Sequence, residues 1–151
     1  MSDYYLEDFN IGQIFKDETQ AYELTEADIK RFAGEFDPQP FHLDNEAAED
    51  TLFQGLAASG WHTAALTMKL MVEGPFSPKG GLIGAGVEQI RWAMPVRPGD
   101  TLAVEVEILD KRRSKSNPSR GILKTRTVTR NQNGEVVQEF VGNIMAQSRG
   151  D

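Results

Sequence analysis

Residues 32–62 read FAGEFDPQPFHLDNEAAEDTLFQGLAASGWH, and this stretch decides how the rest of the chain is understood. It carries both histidines of the sequence, an acid inside a proline-stiffened turn, and the entrance to the most apolar segment. Asp37 stands five residues before His42, with Pro38 and Pro40 between them. Proline fixes its own φ and pushes the residue before it toward extended geometry, so the expectation for Asp37–His42 is a short, stiff, extended turn and not helix. An acid and an imidazole on such a turn can flank one small molecule, such as a water, which is what general acid–base chemistry needs. Asp before Pro is also a common turn opener, and spacing alone leaves both readings open.

Working outward, the segment from Ser59 to Val72 is the longest helical pattern. Trp61, Ala64, Ala65, Leu66, Met68, Leu70, Met71 and Val72 cover most of its circumference. A helix apolar nearly all round is a buried one. At 1.5 Å per residue it would span about 21 Å, and Gly74-Pro75 ends it. Trp61, Ala65 and Met68 either shape a ligand pocket or pack as ordinary core. His62 reads as structural, or as a satisfied polar contact, because no acid partner is visible by spacing.

Upstream, Ile14 to Tyr22 is expected as one strand. Thr25 and Asp28 form a capping-box-like start to a short helix that Gly34 should stop near Ala33. Asp44 should cap a second short helix to about Asp50, broken by Phe53-Gln54-Gly55. Downstream, strands are expected at Gly84–Trp92, Leu102–Ile108, Ile122–Arg130 and Glu135–Met145. Leu102, Val104, Val106 and Ile108 alternate with Ala103, Glu105 and Glu107, the period of a half-buried strand. Pro95–Asp100 is a turn, and Asn133-Gly134 is a strong hairpin signal. One strand, a buried helix, then four strands joined by turns predict an α+β domain, an antiparallel β-sheet wrapped around a long central helix. Its 151 residues suit a single domain, 1–151.

Composition narrows the function classes. The absence of cysteine excludes disulfides, thiolate catalysis and cysteine zinc sites. Two histidines twenty residues apart make a poor metal site, so no metal is expected. A net charge of −7 argues against nucleic acid. The start lacks the basic and apolar regions of a secretory signal, and no apolar run reaches the roughly 20 residues of a membrane helix. The expectation is a soluble cytoplasmic protein that does not use a membrane. One basic cluster, Lys111, Arg112, Arg113, Lys115 and Arg120, could collect phosphates or could be a solvated loop.

The segments FDPQPFHLD and FQGLAASGWH, with PVRPGDTL, SKSNPSRG and NQNGEVV further on, resemble the MaoC-like dehydratases, including the R-specific enoyl-CoA hydratases. The resemblance runs from about Asp8 to Met145. It implies a hot-dog fold, with the long helix as the filling, and a homodimer or higher homo-oligomer with sites near the interface. It implies that Asp37 and His42 are the catalytic pair and that the Gly60 N–H, at the start of the buried helix, receives the thioester oxygen. Ser59 and Gln39 fall beside them as substrate-binding positions. The family pattern often has Asn where this chain has Gln39, which moves the amide by one methylene. For Gly60, a close helix–sheet contact is an equally good reason for glycine.

The activity implied is reversible (R)-stereospecific hydration of a trans-2-enoyl-CoA. No separate cofactor is implied, coenzyme A being part of the substrate, with acyl carrier protein as the other possible carrier. Lys115 and Arg120 are the candidates for its phosphates. A hot-dog thioesterase and a non-catalytic acyl-CoA-binding subunit are the competing readings.

Overall fold

The computed structural model describes residues 3–150, so the ends of the expected 1–151 domain lie outside the described residues. The sheet comprises β1 (Ile14–Phe15), β2 (Tyr22–Glu23), β3 (Ile83–Arg91), β4 (Thr101–Arg113), β5 (Arg120–Arg130) and β6 (Val136–Gln147). Its order is β1-β4-β5-β6-β3, antiparallel throughout, with β2 also pairing β4. Four helices, α1 (Glu26–Phe36), α2 (Pro40–Leu43), α3 (Asn45–Glu49) and α4 (Gly60–Glu73), lie between β2 and β3 in the chain.

The β4 alternation holds as read. Leu102, Val104, Val106 and Ile108 are buried, whereas Ala103, Glu105 and Glu107 are not. The β5–β6 turn forms as well, with Gly134 at φ 77 and its N–H bonded to the Asn131 carbonyl at 3.0 Å. β5 presents Leu123, Thr125, Thr127 and Thr129 to the interior, so its buried face is largely threonine. Thr129 meets Thr67 of α4 at 2.7 Å, and Thr127 donates to the Met71 sulfur at 3.6 Å.

Three local expectations need correction. The single strand from Ile14 to Tyr22 is two short pieces, both on the β4 edge. Between them Asp17 accepts from Thr19 N–H and Oγ–H, a local turn that competes with the sheet ladder. Helix α1 passes through Gly34 and ends at Phe36. A mid-helix glycine is a penalty of about 1 kcal/mol, not a stop. The effective stop is Pro38, which drives Asp37 to φ −153 and ψ 67. Finally, the Asp37–His42 turn is not wholly extended, because α2 starts at Pro40. Proline suits the first helical position, where its missing N–H would be unpaired anyway.

The long helix also differs from a wholly buried one. Leu66, Leu70, Met71, Thr63 and Thr67 face the sheet, while Trp61, Ala65, Met68 and Val72 face outward. On the edge strand β3, Ile83 and Val87 are exposed as well.

His62 fixes α1 against α4. Its ring stacks on Phe32 with centroids 4.5 Å apart and planes 5° from parallel. It is buried, but Nδ1 has no hydrogen-bond partner, so the contact is structural and not fully satisfied. Burial, opposed by Asp28 and assisted by Arg31, pushes the imidazole below its ordinary pKa. The unfolded chain therefore binds the proton more readily. Stability from this site is complete at neutral pH and is lost as pH falls below about 6.5 through the depressed folded value. His62→Phe should keep the stacking and show a shallower loss of stability as pH falls below about 6.5, measured by urea unfolding at a series of pH values.

Candidate active site

The site forms where the proline turn meets the start of α4. His42 is brought inward by the single turn of α2 and is almost wholly buried. Its Nδ1 lies 2.6 Å from the Ala57 carbonyl oxygen. A carbonyl can only accept, so Nδ1 carries a hydrogen, and in the neutral form of the ring Nε2 presents its lone pair to the other side. Nε2 stands 3.3 Å from Asp37 Oδ2. In that form two acceptors face one another, an arrangement suited to a donor shared between them, whereas the imidazolium pairs with the carboxylate directly.

Asp37 is held from several directions. Ser59 Oγ donates to its Oδ2 at 2.7 Å, and Gln39 Nε2 donates to its Oδ1 at 2.5 Å. Burial opposes ionisation of this carboxyl, but those two bonds, with the positive charge of His42 when its ring is protonated, outweigh it and hold the pKa below the usual aspartate range. The chain's departure from the family's Asn thus has a geometric use: the longer Gln39 reaches the carboxylate. Both Ser59 and Gln39, expected as substrate-binding positions, direct their side chains at Asp37.

Ser59 has a second role as N-cap of α4, accepting from the Trp61 N–H at 3.2 Å. Gly60 is the first residue of that helix. Among the described residues no acceptor is recorded for the Gly60 N–H, as first-turn donors require when a ligand is to use them. The positive end of the helix dipole lies at the same point. Trp92 covers the glycine so closely that a Cβ there would come within 2.5 Å of its ring. Tight packing and a free N–H therefore both account for glycine at this position.

Of these groups His42 and Gly60 line a pocket of about 240 Å³, with Phe53, Ala58, Thr63, Trp92, Ala93, Met94, Pro95 and Val96, while Asp37 reaches it through His42. The outward α4 residues Trp61, Ala65 and Met68 do not line it, contrary to one of the two expectations for them. The strand-to-turn segment 92–96 supplies the opposite wall.

Arg97 is a residue to which the sequence assigns no role. Its guanidinium donates to the Gly55 and Leu56 carbonyls at 3.0 and 3.2 Å, and also to the Phe53 carbonyl. It thereby clamps the loop that supplies Phe53 to the pocket and Ala57 to His42. An arginine between prolines in PVRPGD is the only signal, and nothing in it names the carbonyls it will meet.

Lys115 and Arg120 are not brought to the site within one chain. Both are exposed, and Arg120 begins β5 whereas Arg130, at its far end, lies on the side of the site. Ten residues of antiparallel strand separate those ends by about 34 Å. Of the neighbouring cations, Lys111 donates to the Phe9 carbonyl at 2.7 Å and Arg113 pairs with Glu7 at 2.9 Å. Among the described residues no group of three or more His, Asp and Glu is placed to hold a metal, and no helix is long and apolar enough to cross a membrane.

Replacing Gly60 by Ala should force the Trp92 ring to move, because indoles and a new methyl cannot share the space. The expected cost is about 1–3 kcal/mol, read as a lower midpoint in denaturant unfolding together with a shifted tryptophan emission.

The comparisons agree with this architecture. Residues 10–131 match the family model described as a MaoC like domain. A protein of Bacillus subtilis described as uncharacterized protein YdeM is 39% identical over 139 residues, which is 92% of this chain and 94% of that one. The crystal structure of the MaoC-like dehydratase from Rhodospirillum rubrum has a TM-score of 0.92 at 49% identity, covering 97% of this chain and 98% of that chain. R-hydratase PhaJ1 from Pseudomonas aeruginosa, in its unliganded form, has a TM-score of 0.72 at 28% identity, covering 97% and 88%. The chain belongs to the MaoC-like domain family and has its hot-dog fold.

Proposed function

We propose that the protein is a hydratase of trans-2-enoyl-CoA thioesters, forming the (R)-3-hydroxyacyl product. The observation that carries this reading is the convergence of the Asp37 carboxylate and His42 Nε2, 3.3 Å apart, beside the Gly60 N–H. A water between the two side chains would donate to both. As it attacks the β-carbon, one of them takes its proton, and a proton is delivered to the α-carbon. The hydroxyl of water thus ends on Cβ and hydrogen on Cα, with no other reactant. The Gly60 N–H would hold the thioester oxygen as negative charge grows there, at the positive end of α4. Ionised Asp37 supports its part as acceptor.

The first experiment follows the enoyl-thioester absorbance of crotonyl-CoA together with thiol release. Loss of absorbance without thiol is expected. Asp37→Asn and His42→Ala should each lower turnover by about 10²–10⁴-fold, the range of general acid–base catalysis. Full turnover in Asp37→Asn would refute the mechanism, and thiol release would assign a thioesterase instead.

The working unit we propose is a homodimer that covers the outward face of α4 and the β3 edge. Exposed Trp61, Met68, Val72, Ile83 and Val87 support it. A two-fold axis beside β3 would set the two copies' edge strands antiparallel, bringing the basic end of one copy toward the site end of the other. Lys115 and Arg120 would then serve the site across the interface. Val87→Asp should convert a species of twice 16.8 kDa into one of 16.8 kDa in sedimentation velocity. An unchanged mass would place the interface elsewhere.

A further inference from the structure

Trp92 stands just beyond the end of β3 and is 41% exposed, yet it is tethered from beneath. Its Nε1–H donates to Gln138 Oε1 at 2.9 Å. Gln138 is fully buried on β6, and its Nε2 donates to Thr67 Oγ1 at 3.1 Å. Thr67 in turn meets Thr129 at 2.7 Å. The bonds run from the end of β3 through β6 and α4 to β5.

A buried glutamine must find partners for its whole amide or incur a desolvation penalty. Here the oxygen is used by Trp92 and the nitrogen by Thr67. The indole is fixed on two further sides. It lies on Gly60, where an added Cβ would be 2.5–2.9 Å from three ring carbons. Trp61 meets it edge-on with ring centroids 5.2 Å apart.

We infer that Trp92 is the specificity-determining residue that limits acyl chain length, and that the substrates are short-chain enoyl thioesters. This rests on the hydratase reading for the position of the thioester at Gly60. The pocket that Trp92 walls, about 240 Å³, is smaller than the roughly 300–1,000 Å³ of sites for drug-sized ligands. A chain that extends past this volume on the Trp92 side has to displace the indole. That displacement removes the donor from Gln138 Oε1 and sets apolar methylenes against a buried amide, so two penalties act together. A short chain incurs neither.

The test compares kcat/KM for crotonyl-CoA and trans-2-octenoyl-CoA in the wild type, Trp92→Ala and Trp92→Phe, with folding checked by circular dichroism. The ratio of octenoyl to crotonyl values should rise at least about tenfold in Trp92→Ala, the scale on which a hydrophobic pocket discriminates. Trp92→Phe, which keeps a ring without the N–H, should give a smaller rise. If the alanine variant does not fold, Trp92→Leu takes its place with the same direction expected. An unchanged ratio, or an equal loss on both substrates, overturns the inference.

Binding separates this inference from the hydratase reading. Calorimetry with butyryl-CoA and octanoyl-CoA needs no turnover. Wild type should favour butyryl-CoA, and the Trp92 variant should lose that preference even if no enoyl-CoA is hydrated. The same preference in both proteins overturns the chain-length role whatever the reaction proves to be.

Discussion

The Ser59 hydroxyl makes two bonds at once, donating to Asp37 Oδ2 and accepting from the Trp61 N–H. Through it the start of α4 and the carboxylate of the proline turn have one fixed relation. Removing the hydroxyl would leave a first-turn donor unpaired and a partly buried carboxylate with one support fewer. The pocket, the orientation of Asp37 and the availability of the Gly60 N–H all follow from where this cap sits. A hydroxyl at the N-cap is common in proteins. Its simultaneous donation to an acid from a different helix gives it more than a capping role here.

The imidazole is fixed by an equally local device. The Ala57 carbonyl, two residues before Ser59, accepts from His42 Nδ1 and so decides which nitrogen faces Asp37. Ala57 also donates its own N–H to the Phe41 carbonyl at 3.1 Å, so α2 and the 56–59 segment hold each other at two points. Arg97 secures the preceding residues of that segment. The chemistry-bearing side chains are therefore mounted on short elements whose geometry is set from outside, by bonds to backbone carbonyls.

This division explains what could be read from the sequence. The strand alternation in β4, the Asn133-Gly134 turn, the Thr25 and Asp44 caps and the extent of α4 all depend on neighbours within a few residues, and all are legible. Asp37 and His42 were legible as a pair because two prolines stiffen the backbone between them. The partner that orients His42, and the anchors of the 53–56 loop and of Trp92, were not. Ala57, Arg97 and Gln138 act across 15, 42 and 46 residues, and nothing in local patterning links such positions. The two helix-boundary errors share a cause: a glycine was given too much weight as a terminator and a proline too little credit as a first helical residue. The outward apolar stripe on α4 misled differently, since apolar composition alone does not say which faces of a helix pack within the chain.

The interior beneath α4 then becomes intelligible as more than a core. A purely apolar layer would pack the helix on the sheet with no directional preference along it. Thr67, Thr129 and Gln138 introduce directional bonds, and buried polar groups are tolerable only where their partners are satisfied. Gln138 has its amide oxygen paired only while the Trp92 indole is in place. The polar seam therefore penalises movement of the indole more strongly than apolar packing would, and it transmits that penalty to a wall of the pocket. On this argument, the glutamine and threonines act less on the stability of the domain than on holding one half-exposed aromatic ring beside the helix terminus.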